Sequence, residues 1–408
     1  MKKTIFRAFS VLSITALSAI AAGAAAFLIL IVCGLSPKLQ TIWICSAMRT
    51  MSHKYLATMF FSDDYITSVM EANEIDDSGY DSEILSFRDS EKDKADAGDD
   101  AATGISSGEE NAINTDKTGA HETEAETEKA SEVEETEDLL NSGVFITDGR
   151  EKDKDAAPEP ESSGDAYIDE GYELLEDGIY LKEVSGLTWR GYVMLIADPL
   201  RVKLVDTSMQ FSCGENVMTM TTNSGAVAGI NGGGFQDGVN YDSNGGMPSG
   251  LLIEDGKVVY PFTIDETVYN LIGINDEGAL VLRHCTATWA IENNIVSAVS
   301  FAPFIVVNGE GLIKEGSGGW GIAPRTAIGQ RETGEMLLLV IDGRQADWSI
   351  GCDIDVLQEV MLAENAYNAA MLDGGSSTAM VYNGDYINRP SLGHERWINN
   401  AFVVMPKD

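Results

Sequence analysis

The 408-residue sequence predicts an antiparallel-rich, mixed α+β domain over residues 171–408, preceded by an N-terminal transmembrane helix and a disordered acidic linker. Three observations predict this. Residues 171–408 consist of short apolar runs punctuated by Gly, Asn and Asp. No charged residue occurs from Phe9 to Pro37. Residues 71–170 hold 33 Asp and Glu against 8 Lys and Arg, so much of the net charge of −38 belongs to one segment.

Residues 1–8 are short and basic, with Lys2, Lys3 and Arg7, and residues 9–35 are long and apolar enough to span a bilayer as a helix. The competing reading is a cleaved signal peptide, for which AIAAGAAA offers small-residue cleavage sites. The apolar run continues through FLILIVCGL beyond any such site, which favours an uncleaved signal anchor. The basic N-terminus and the acidic remainder favour the N-terminus inside and the bulk outside. The expectation is a single-pass cell-membrane protein with an extracytoplasmic catalytic domain.

Residues 36–73 mix aromatic, Met and polar side chains and read as an amphipathic juxtamembrane segment. From 74 to 170 the composition collapses to Glu, Asp, Ala, Thr, Ser and Gly. Such a stretch buries too little apolar area to offset the entropy of ordering it. It reads as an extended, self-repelling tether.

In residues 171–408, runs such as YVMLIAD, VKLVD, AVAGI, FIVVNGEGLI and MLLLVID read as strands. Asp255-Gly256 and Asn308-Gly309 mark hairpin turns. One helix interrupts them in DIDVLQEVMLAENAY, where Val356, Leu357, Val360 and Met361 form the apolar stripe and Asp355 with Gln358 is spaced as a capping box. It leads into AMLDGGSSTAMVYNG. There DGGSST separates an apolar run at 369–372 from another at 379–382 and carries more polar chemistry than a turn requires.

Several function classes are disfavoured. The acidic charge repels nucleic acid. The five cysteines include no CxxC and the chain has four His, so a Cys/His zinc site is not expected. One disulfide fits this cysteine count; a disulfide framework does not. There is no GxxxxGK[ST] phosphate loop, and DGGSST is not GxSxG.

Four polar, glycine-rich clusters remain: AGINGGGF, GGMPSG, GSGGWGIAPRTAIG and LDGGSST. A weaker fifth is VIDGR, where Asp342 and Arg344 end an apolar strand. Glycine lets a backbone approach a ligand and aim N–H groups at an anion. Arg325 offers a planar fork for phosphate oxygens. Asp373 and Asp342, at the mouths of apolar strands, are candidates for acid–base work or for holding a divalent cation. Ser376, Ser377 and Thr378 supply hydroxyls. Any one cluster alone reads as a turn; together they point to a polar ligand site.

The ordered series NGGGF, GMPSG…DGK, PRTAIG, VIDGR, the capped helix, LDGGSST and N-R-P…RWINNAFVV resembles the phosphodiester glycosidase family, from about Gly186 to the C-terminus. The resemblance implies hydrolysis of a sugar-1-phosphodiester at the anomeric C–O bond. It also implies a site gathering Asn231, Gly233, Phe235, Gly250, Arg325, Thr326, Asp342, Asp373, Gly374, Gly375, Ser376, Ser377, Asn388 and Arg396. Within it we take Asp373 as the acid–base carboxylate and Arg325 as the phosphate clamp. The expected chemistry is one carboxylate beside a phosphate cradle, because a phosphodiester is already a fair leaving group. The expected substrate is a phosphodiester-linked glycan or a teichoic-acid-like polymer of the cell envelope. The alternative is a non-catalytic module that binds anionic glycans during envelope assembly or export.

Overall fold

The computed structural model describes residues 22–49, 53–87, 163–237, 243–314 and 318–407. Three antiparallel sheets make up the domain. The largest has eight strands in the order Glu173–Glu176, Ile179–Ser185, Arg190–Ile196, Met336–Ile341, Arg325–Arg331, Ala366–Met371, Phe304–Val307 and Glu310–Gly311. The second has five: Lys257–Tyr260, Leu252–Glu254, Ile295–Ser300, Val268–Asn275 and Leu280–Thr286. The third also has five: Asp385–Tyr386, Met380–Tyr382, Ala228–Asn231, Asn400–Val404 and Val202–Asp206. This is the antiparallel-rich mixed α/β domain read from the sequence.

One face of each sheet turns into a common core, where Ile196 and Leu338 of the first meet Leu252 and Ile272 of the second and Ile230 and Phe402 of the third. Each outer face is covered by one helix. Ile354–Ala363 packs on the first sheet, Ala287–Glu292 on the second and Val217–Ser224 on the third. Strands buried on both faces read as continuous apolar runs, which is why MLLLVI shows no alternation.

Both expected hairpins form. Asp255 and Gly256 take φ of 47° and 70°, and Asn308 and Gly309 take 52° and 78°, so both central residues are left-handed as a twist-matched two-residue turn requires. The helix of the sequence pattern is present, but its cap is Asp353, whose carboxylate accepts from the Val356 amide at 3.2 Å. Gln358 serves packing rather than a capping box. It accepts from the Ile313 amide and donates to the Ile313 carbonyl, tying the helix to the chain after the Asn308-Gly309 hairpin. All five cysteines are free thiols.

The N-terminal region departs from a simple anchor and tether. Residues 1–21, with the first half of the expected span, lie outside the described residues. Among the described residues no single helix is long and apolar enough to cross a membrane; Ala22–Val32 and Pro37–Met48 pass such a test as a pair, bent by 95°. In the segment read from the sequence as juxtamembrane, Ile44, Ala47, Ala57 and Ile66 form a small core among helices Pro37–Met48, Tyr55–Thr58 and Asp63–Ala72. Both ends of the expected linker also have partners. Asp77 is buried and accepts from the Phe304 amide at 2.9 Å and from Asn270 Nδ2 at 3.2 Å, and the Ser82 amide donates to the Leu282 carbonyl at 2.8 Å. At the other end Asp165 caps helix Ala166–Asp169. Residues 88–162, the body of the tether, lie outside the described residues.

Candidate active site

The DGGSST link joins two sheets rather than two arms of a hairpin. Strand Ala366–Met371 ends in the first sheet and Met380–Tyr382 begins in the third, with Gly375–Ser377 forming a single 3-10 turn between them. Backbone bonds fasten the crossing at both sides. The Asp373 amide donates to the Gly232 carbonyl at 3.1 Å, and the Gly375 amide to the Pro324 carbonyl at 2.9 Å. Gly375 takes φ of +64°. At Gly374 an added Cβ would stand 2.9 Å from the Pro324 carbonyl oxygen, too close for a side chain. These glycines are therefore required by the crossing itself.

Three sheets meeting in this way leave a cavity of about 570 Å³ at their junction. The first sheet contributes Arg325 and the 373–376 link, the second Tyr269, Asn270 and Ser300, and the third the 234–237 turn with Phe235 and Asp237. Four guanidinium groups, of Arg49, Arg325, Arg344 and Arg396, face two carboxylates, of Asp237 and Asp373. In a chain of net charge −38 this lining is locally positive. Aromatic walls come from Phe235, Tyr269, Phe301 and Trp320.

Asp373 stands at the centre of the link. Burial pushes its carboxyl up to about 6, against the pull of the Ser377 hydroxyl, the Arg396 charge and the Gly374 amide. The Gly374 amide donates to its Oδ1 at 3.0 Å. The Ser377 hydroxyl lies nearby but forms no hydrogen bond of good geometry. A carboxyl with this environment still carries its proton in mildly acidic solution.

The structure brings eight of the expected site residues to the cavity wall: Asp373, Arg325, Ser376, Phe235, Gly250, Gly374, Gly375 and Arg396. The other six lie beneath or beside it. Asn231 is buried, donates to the Asp373 carbonyl, and accepts from Thr326 Oγ1 at 2.7 Å and the Ala379 amide at 3.2 Å. Asn231 and Thr326 thus pin the link from below. Gly233 donates to Asn400 Oδ1 and packs against Val299. Asn388 bonds Met380 and Asp342. Ser377 is buried out of the lining.

Asp342 is the principal correction. Its carboxylate accepts from Trp348 Nε1 at 2.8 Å, Asn388 Nδ2 at 2.9 Å and the Arg389 amide at 2.9 Å, away from the cavity. Those donors hold down a carboxyl that burial alone would raise further. Asp342 fixes the 387–389 turn and does not share a site with Asp373. Among the described residues, no group of three or more His, Cys, Asp and Glu side chains is arranged to hold a metal ion.

Arg325 reaches the cavity, yet most of its donors are engaged. Nε bonds the Cys352 carbonyl at 3.3 Å, and Nη2 bonds the carbonyls of Trp320 and Gly321. It is a wall that fixes the Trp320 loop more than an open clamp.

The sequence reading named Arg344 only within the weaker VIDGR cluster and did not place it in the site. Arg344 ends VIDGR beside Asp342, takes φ of +62° and brings Nη2 within 3.2 Å of where a Gly375 Cβ would sit. A non-glycine residue held in that conformation at a cavity is a site signal. Asp237 was also missed; it ion-pairs with Arg396, whose guanidinium lies 4.7 Å from the Phe235 ring centroid. The site therefore holds two carboxylates rather than the one expected.

Comparison with known proteins bears out the resemblance. Residues 224–405 match the family described as Phosphodiester glycosidase. The SPbeta prophage-derived uncharacterized protein YomE of Bacillus subtilis is 27% identical over 202 residues, which cover 48% of this chain and 30% of that protein. The N-acetylglucosamine-1-phosphodiester α-N-acetylglucosaminidase of Bos taurus is 29% identical over 136 residues, covering 29% of this chain and 25% of the enzyme. The chain thus spans under a third of the length of either protein. The solved catalytic domain of the zebrafish enzyme of the same name superposes with a TM-score of 0.47 at 24% identity, covering 56% of this chain and 82% of that one.

Proposed function

We propose, starting from the phosphodiester glycosidase match over residues 224–405, that this chain hydrolyses the sugar–phosphate glycosidic bond of sugar-1-phosphodiesters. Homology supports a hydrolase of that kind. The observation that carries the reading here is the cavity itself, where four guanidinium groups and two carboxylates meet aromatic walls in a strongly acidic protein. Such a lining suits a sugar ring joined to an anion.

In this reading the aromatic side chains pack the sugar, and Arg344 with Arg396 takes the phosphate oxygens. As the anomeric C–O bond breaks, positive charge develops on the sugar and negative charge on the departing phosphate. The guanidinium groups stabilise that departing charge. Asp373, protonated up to about pH 6, gives its proton to the bridging oxygen. Asp237, oriented by Arg396, takes the proton of the attacking water. The products are a free sugar and a phosphomonoester. We further propose that the substrate is a phosphodiester-linked polymer of the cell envelope and that the chain is anchored in the cell membrane with this domain outside.

The test is hydrolysis by the full chain of a panel of sugar-1-phosphodiesters in ¹⁸O-labelled water. Label in the sugar hydroxyl is expected. Label in phosphate would place attack at phosphorus, and binding without turnover by any member would leave an anionic-glycan-binding module.

A further inference from the structure

We infer that Arg49, carried by the N-terminal helical segment and outside the family match, is a substrate-binding residue that holds an anionic group over Trp320 in the same cavity; the inference deepens the proposed function and rests on it for the reaction, but not for the anion. Arg49 follows helix Pro37–Met48 as its C-cap. Its guanidinium stacks on Trp320 with Cζ 4.4 Å from the ring centroid, and both residues line the cavity. Stacking fixes the plane of the guanidinium and leaves its edge N–H groups free to point at oxygen atoms.

The segment is built into the wall, not merely adjacent to it. Ser46 Oγ accepts from the Ile322 amide at 2.9 Å and itself lines the cavity. Gly321 takes φ of +63°, and an added Cβ there would collide with the Ser46 backbone. An added Cβ at Gly319 would stand 2.8 Å from the Asn73 carbonyl oxygen. Gly319 and Gly321 thus admit the chain's own N-terminal segment, which accounts for part of a cluster that the sequence offered as a ligand loop.

Charge gives the second, independent argument. No ion pair to Arg49 is seen among the described residues, whereas Arg396 has Asp237 and Arg344 has Asp373 close by. Arg49 and Arg344 both act on Arg325 as like charges. Four guanidinium groups against two lining carboxylates leave an excess of positive charge that calls for an anion from solution.

The experiment uses the full chain as wild type, Arg49→Ala, Arg49→Lys and Arg49→Glu, with two readouts. One is KM and kcat on a sugar-1-phosphodiester; the other is the Kd for inorganic phosphate, which needs no turnover. Loss of one charge-assisted contact predicts a rise of about tenfold in KM and in the phosphate Kd for Arg49→Ala, with kcat changed less than about twofold. Lysine should recover part of the loss and glutamate should exceed it, with thermal midpoints unchanged. If wild type turns over nothing, the glycosidase reading fails, and the phosphate Kd series alone decides for or against Arg49. Unchanged KM and Kd in Arg49→Ala would overturn the inference, as would faster turnover, which would mean that the segment obstructs the site.

Discussion

At the scale of the residue, Asp373 and Asp342 were both candidates, each an acid closing an apolar strand, with Asp373 preferred as the acid–base carboxylate. Their surroundings separate them. Asp373 faces the cavity with a raised carboxyl; as a general acid it must be protonated, so kcat/KM should fall as pH rises through about 6. Asp373→Asn should remove that limb together with ~10²–10⁴-fold of kcat while leaving phosphate binding intact, as a pH–rate series and titration would show. The same shift has a stability consequence. A carboxyl whose folded-state value is raised favours folding in acid, and that contribution is lost as pH rises through about 6. Asp373→Asn, uncharged throughout, should therefore melt above wild type at pH 8 and close to it at pH 4. For Asp342 the expectation inverts. Asp342→Ala leaves three donors unpaired in a buried turn and should cost about 2–4 kcal/mol of stability by denaturant unfolding. Retention of wild-type stability would return Asp342 to the list of catalytic candidates.

At the scale of the element, periodicity and turn chemistry read well where local rules act alone. The Asp255-Gly256 and Asn308-Gly309 hairpins and the helix at 354–363 were legible because each rests on neighbours in sequence. The cap of that helix was misplaced by two residues, since Gln358 was drawn to the Ile313 backbone, a partner 45 positions away. The GSGGWG cluster shows the same limit in a sharper form. Its glycines looked like a cradle for a ligand, and Gly321 instead lets helix Pro37–Met48 lie against the loop. Gly321→Ala should therefore loosen that helix, because the new methyl meets backbone and the φ is left-handed. Limited proteolysis should then cut between Arg49 and Asp63 faster than in wild type, with the catalytic domain remaining resistant. Equal cleavage rates would show that the helix does not depend on this glycine.

At the scale of the whole molecule, a strongly acidic chain sets four guanidinium groups against two carboxylates in one cavity. Ligand attraction by such a lining is screened by salt. The Kd for inorganic phosphate should rise several-fold between roughly 50 and 500 mM salt, where the screening length falls from more than 10 Å toward a few Å. A salt-independent Kd would mean that the guanidinium groups do not reach the anion. The grouping of Asp373, Arg325, Phe235 and Arg396 as parts of one site was what the family resemblance implied; by itself the sequence determined the antiparallel-rich domain, its hairpins and its one strongly patterned helix. These follow from residue types and short spacings, which act through the local backbone and through burial. The tertiary structure decided what composition leaves equal: that Asp373 rather than Asp342 faces the cavity, that Arg344, Asp237 and Arg49 join it, and that Asn231 and Thr326 work from beneath. Those outcomes depend on how three sheets and an N-terminal segment meet, a matter of contacts between residues that are mostly tens to hundreds of positions apart, for which one chain's spacing carries no signal.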